Sequence, residues 1–114
     1  MVVLVLLPHR LVVITPVEMR DEYDNPTPVL DYGPTAPRRT VAANVQPLTS
    51  TEPAVVQERA PVVTRWRVFT REEITARERV VWDGRVCEVD GRTARWAPRF
   101  GHVHYELVLR HVEG

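Results

Sequence analysis

Residues Arg77 to Gly114 constrain the fold most: RERVVWDGRVCEVDGRTARWAPRFGHVHYELVLRHVEG. Apolar side chains recur here at the spacing of strands. Asp83-Gly84 and Asp90-Gly91 each put a tight-turn pair between two such runs. Asp-Gly accommodates the positive φ angles of a two-residue hairpin loop. The stretch therefore predicts an antiparallel meander with strands at Arg79–Trp82, Arg85–Val89, Thr93–Trp96 and His102–His111. On the last of these, Val103, Tyr105, Leu107 and Leu109 share one face; His104, Glu106 and Arg110 share the other.

Upstream, Met1–Leu7 and Leu11–Thr15 are β-branched-rich runs separated by Pro8-His9-Arg10, and both predict strands. Met1–Leu7 has no polar face. It reads as an N-terminal strand or extension (residues 1–10) covered by a partner, with Val2, Leu4 and Leu6 as candidate contacts with a neighbouring chain. Its apolar run stops at Pro8, without a basic leader or a small-residue cleavage site, so it does not read as an export signal. It is also too short to span a bilayer. Asp24-Asn25-Pro26 predicts a turn, since Asp and Asn bond local backbone groups and Pro fixes φ. Val29–Tyr32 predicts a short strand, Pro34–Arg39 a loop, and Thr40–Leu48 a strand with Val41, Ala43 and Val45 inward.

Thr49–Thr64 lacks both periods and is punctuated by proline, so it predicts a loop of about 16 residues, beyond the ~12–15 usual for a passive connector. Fully extended, it reaches roughly 50 Å. Arg65–Thr70 resumes strand character, and Arg71–Ile74 predicts one helical turn. The whole is an all-β fold: a single domain over residues 1–114, a small antiparallel β-barrel or sandwich with one long loop between strands and little helix.

Chemistry is sparse. Net charge is zero, and all 15 basic residues are Arg, so no bulk field points to nucleic acid. Cys87 is the only cysteine; within a strand it reads as a small buried hydrophobe. His102, His104 and Glu106 have the spacing of metal ligands on a strand. The wetter face of an amphipathic strand explains the same spacing, and no second ligand cluster accompanies them. Ser50 is the only serine and lacks the flanking small residues of a nucleophile elbow. No glycine loop cradles phosphate. The residues predict no catalytic site, no metal, no cofactor and no enzyme. Arg59, Arg65, Arg67 and Arg71, along or beside the long loop, could approach a phosphate backbone, and surface charges balanced by Glu52, Glu58, Glu72 and Glu73 explain them equally well.

The order of motifs nevertheless resembles a family. A β-run leads into Asp-x-Tyr-x-Asn-Pro-Thr (Asp21–Thr27). A strand ends in a proline and then a Ser/Thr/Glu patch (Val45–Glu52). Ile74-Thr75-Ala76 precedes RVVWDGRVCEVDG (Arg79–Gly91). Trp96 and Pro98 precede a closing strand that ends at Leu109–Gly114. Over about Leu11 to Gly114, the chain resembles the head-to-tail stopper (head closure or head completion) proteins of long-tailed actinobacterial phages. Asp24 stands where glycine is common, Glu78 where aspartate is common, and Met1–His9 exceeds the usual start.

The resemblance implies a virion protein that forms a ring of six or twelve copies at the head–tail junction. Its expected partners are itself, the adaptor or portal-side connector protein, the tail terminator or tail tube protein, and the phage DNA passing through the lumen; no membrane is involved. By position, Thr49–Thr64 matches the channel-facing loop, with Thr49, Ser50, Thr51, Glu52, Glu58 and Arg59 toward the lumen. Arg65, Arg67, Trp96 and Arg99 join Val2, Leu4 and Leu6 as candidate contacts between subunits or with a neighbouring ring. Zero net charge suits a channel that must not hold DNA back. The competing readings are a tail terminator or other connector ring, then a monomeric β-barrel binding module.

Overall fold

The computed structural model describes residues 6–48, 62–99 and 101–113. These contain nine strands: β1 (His9–Ile14), β2 (Val17–Arg20), β3 (Pro26–Asp31), β4 (Arg38–Pro47), β5 (Val62–Thr70), β6 (Arg79–Trp82), β7 (Arg85–Val89), β8 (Ala94–Trp96) and β9 (His104–Glu113). The main sheet runs β5-β4-β1-β6-β7-β9-β8, and a β5–β9 pairing closes six of these strands into an antiparallel barrel. β2 and β3 form a separate two-stranded sheet. Closure leaves no edges among the six barrel strands.

The predicted alternation sets the barrel interior. Val41, Ala43 and Val45 of β4 point inward with Leu11, Val13, Trp66, Val68, Val80, Cys87, Leu107 and Leu109. Asp83 (φ 51°) and Gly84 (φ 74°) both lie in the left-handed region, the requirement for the tight β6–β7 hairpin. A Cβ at Gly84 would meet nothing within 4 Å. Gly84→Ala is therefore a purely conformational penalty, expected to cost about 1 kcal/mol in urea unfolding.

The meander ends at β7. Asp90-Gly91 does not make a second hairpin: Gly91 has φ 80°, but Asp90 is absent from the left-handed region. Instead the Asp90 N–H donates to the Val108 carbonyl at 2.8 Å, extending the β7–β9 ladder. β9 consequently lies between β5 on one side and both β7 and β8 on the other. Val89 faces Leu109 and Ala94 faces Glu106, five steps on one chain against three on the other. β7 and β8 thus form one line along β9, interrupted by a two-residue bulge.

Four other expectations need correction. β1 begins at His9, while Leu6–Pro8 is not strand and Met1–Val5 lies outside the described residues. Val62–Thr64 belongs to β5, not to a loop, because it pairs with β9 down to Glu113. Arg38 and Arg39 already belong to β4. Arg71–Ile74 is not helical. The carbonyls of Glu72, Glu73 and Ile74 accept bonds from the Thr70 hydroxyl, Arg39 and the Thr93 hydroxyl, respectively. Burial of Ile74 to zero exposure draws this segment over one end of the barrel.

Candidate assembly surfaces

The strand directions give the barrel two unlike ends. At one end β1 finishes, β4 starts, and β5, β6 and β8 meet the Arg71–Glu78 segment. At the other lie His9, the β6–β7 turn, and Leu48 and Val62, between which residues 49–61 connect β4 to β5. Leu48 N–H donates to the Arg65 carbonyl at 3.0 Å, which fixes the exit point. The expected channel residues Thr49, Ser50, Thr51, Glu52, Glu58 and Arg59 lie outside the described residues, as do Val2 and Leu4.

The first end is built around a carboxylate. Glu78 is 6% exposed. Its Oε1 accepts from Arg39 Nη2 at 3.2 Å and the Thr75 N–H at 3.0 Å; its Oε2 accepts from the Thr15 hydroxyl at 2.8 Å and from Arg39 Nη1. Burial alone pushes the carboxyl upward, but bonds from Arg39, Thr75 and Thr15 with the Arg39 charge outweigh it, and the pKa is lowered. The partnered Arg39 is correspondingly raised. The cluster locks the ends of β1 and β4 to the 73–78 segment.

From this lock the β2–β3 hairpin leaves the barrel. Asp21 Oδ1 accepts from the Tyr23 and Asn25 N–H groups, both at 2.9 Å, which makes the predicted turn. Asp24 adopts φ 62°, explaining why glycine suits that position. The hairpin is held at its base by the Tyr32 hydroxyl bonding the Arg77 carbonyl and by Arg79 over the Tyr32 ring at 3.9 Å. Glu18 pairs in register with Leu30, and Val17 with Asp31. Val17 and Val29 therefore share the opposite face, with Met19 at the register shift between Glu18 and Arg20; the three are 42, 55 and 46% exposed, and Tyr23 at the tip is 78% exposed.

The second surface surrounds β8, all of whose residues are exposed. Trp96 stacks on His104 with ring planes 6° apart yet remains 51% exposed. Arg67 pairs with Glu106 at 3.4 Å and Arg65 with Asp90 at 3.1 Å, so both predicted contact arginines lie on the outer wall beside this strand. Arg67, Arg92, Ala94, Trp96 and Glu106 line a shallow groove. Arg99 follows Pro98 in the same exposed stretch. Leu6 is 75% exposed at the other end, where its carbonyl accepts from Asn44.

His102 precedes the strand that begins at His104. With His104 stacked on Trp96 and Glu106 paired with Arg67, the expected shared face is a packing surface. Among the described residues no three His, Cys, Asp or Glu side chains cluster closely enough to hold a metal ion, and no helix is long and apolar enough to cross a membrane. Cys87 is buried, and desolvation pushes its thiol pKa upward against the weaker pull of Arg85, the setting of an inert core thiol. The hairpin face and the Glu78 lock went unnoticed in the sequence. A buried carboxylate signals itself only through partners up to 63 residues away.

The described residues form a closed barrel with apolar and aromatic side chains exposed on the hairpin and at β8. The chain belongs to the phage head completion protein family, whose model matches residues 5–110. It is a component of the phage particle, in a family of structural virion proteins. Comparison with curated protein sequences returns no match. Among solved structures the fold is similar to a chain from the virion of a native gene transfer agent particle. The TM-score is 0.64 at 15% identity, covering 91% of this chain and 93% of that one.

Proposed function

We propose that the chain is a ring-forming head-to-tail stopper. It closes the DNA exit below the portal and adaptor, and it supplies the surface on which the tail docks. Membership of the head completion family carries this reading, and the two unlike ends of the barrel support it. One end carries the hairpin and β8; the other carries the attachment points of the β4–β5 connection. In this reading the connection, with Thr49, Ser50, Thr51, Glu52, Glu58 and Arg59, turns toward the channel. Each side chain then recurs once per subunit, so Arg59 becomes a ring of cations and Glu52 and Glu58 rings of anions around passing DNA. Arg65, Arg67, Trp96, Arg99 and the N-terminal residues Val2, Leu4 and Leu6 supply contacts between subunits or with neighbouring rings.

The expected result is a closed oligomer of six or twelve copies, by native mass spectrometry of the full chain and of neck complexes released from particles. A chain that stays monomeric in both settings contradicts the ring and favours a β-barrel binding module. A ring located at the tail end of the junction, beyond the stopper position, makes it a tail terminator.

A further inference from the structure

The β2–β3 hairpin presents its apolar face away from its own barrel. Isolated two-stranded sheets are marginal in water, and Val17, Met19 and Val29 are exposed apolar positions that a solvated hairpin would make polar. Its charge is also one-sided. Residues 17–31 carry five acids (Glu18, Asp21, Glu22, Asp24 and Asp31) against Arg20, a net of −4. Because the whole chain sums to zero, the remainder carries +4.

Part of that excess is concentrated beside β8. Residues 92–99 hold Arg92, Arg95 and Arg99 with no acid, around the half-exposed Trp96. The neighbouring Glu106 is taken by Arg67 at 3.4 Å. β8 pairs only with β9 among the described strands, so its other edge offers backbone N–H and C=O groups to an added strand. Thus one surface is acidic and apolar, and the other is basic, aromatic and open-edged.

Their placement is decisive. Both lie at the same end of the barrel. The hairpin springs from β1 and rests against β6 through Tyr32 and Arg79, whereas β8 lies along β9. In the cyclic order β5-β4-β1-β6-β7-β9, β8 continues the line of β7 along β9, two strands from β1, so the hairpin and the open β8 edge are separate faces of that end. Two different, complementary patches make a head-to-tail contact, the kind that closes into a ring.

We infer that the β2–β3 hairpin of each copy docks on the β8 edge of the next copy of this chain, with its acidic turn against Arg92 and Arg95. The inference rests on the ring reading above and assigns that ring its contact surfaces.

Charge exchange in the full-length chain tests it. One variant carries Glu22→Arg and Asp24→Arg, which takes the hairpin from −4 to 0 and leaves its turn, residues 20–25, basic beside a basic β8. A second carries Arg92→Glu and Arg95→Glu, making both surfaces acidic. Each variant alone is expected to lose the ring, with assembly weakened at least ~tenfold per contact by like-charge juxtaposition. An equimolar mixture is expected to regain rings in which the two variants alternate. All four positions are exposed, and unchanged thermal unfolding of the monomer checks that the fold is intact. Rings formed by either variant alone as readily as by the wild type overturn this assignment and leave the ring reading standing. So does a mixture that fails to reassemble while the wild type forms rings. A wild type without rings, in solution and in particles, removes both.

Discussion

Glu78→Ala is expected to destabilise the monomer by about 2–3 kcal/mol, measured by urea unfolding at neutral pH. The lower part of the usual range for a broken buried ion pair applies, because Arg39, at 37% side-chain exposure, regains water. The Thr15 hydroxyl and Thr75 N–H lose their carboxylate acceptor. The pH dependence follows from the direction of the shift. Glu78 titrates below the ordinary glutamate value of 4.5 when folded. Its charge therefore stabilises the fold fully above that value, and the contribution disappears as pH falls through the lower folded pKa. The wild type should lose stability across that acid interval more steeply than Glu78→Gln, and the gap between them should narrow as pH falls. Parallel curves for the two proteins would show that the carboxylate charge is not what holds this end of the barrel.

Leu109→Ala is expected to cost about 3 kcal/mol, within the ~2–5 kcal/mol typical of Leu→Ala in a packed core. Leu109 has no exposed surface and faces Trp66 on β5 and Val89 on β7. Its strand closes the barrel, so surrounding atoms cannot collapse into the void without disturbing two ladders. The measurement is the midpoint shift in urea at unchanged slope. A shift under ~1 kcal/mol would mean that the seam between β5, β9 and β7 is loosely packed.

Much of this architecture was legible from local pattern. The alternation of Val41, Ala43 and Val45 marks the inner face of β4, and Asp83-Gly84 marks a hairpin because both residues take φ angles that few pairs tolerate. Asp90-Gly91 has the same composition and another outcome. What separates them is the partner strand: β9 offers the Val108 carbonyl to Asp90, and the chain runs on. That choice depends on residues nearly twenty positions away and leaves no local trace. β2 was hidden for a related reason. Val17–Arg20 is four residues long, lies between Pro16 and an acidic turn, and is ordered by pairing with β3 rather than by burial. The Arg71–Ile74 segment looked helical, but three of its carbonyls are taken by distant or neighbouring side chains. Arg65, Arg67 and Trp96, proposed as contacts, were legible as outward or aromatic strand positions. That β8 stands as an exposed, basic edge emerges only from its place on β9.

The central claim is that this chain forms the closing ring of the phage neck. It is tested most directly by a cryo-EM map of the head–tail junction from particles carrying it. The expected map shows a ring of barrels between the portal-side connector and the tail, with the hairpin of each subunit against the β8 edge of the next and residues 49–61 toward the channel. A neck from which the chain is absent, or in which it sits as isolated copies, contradicts it.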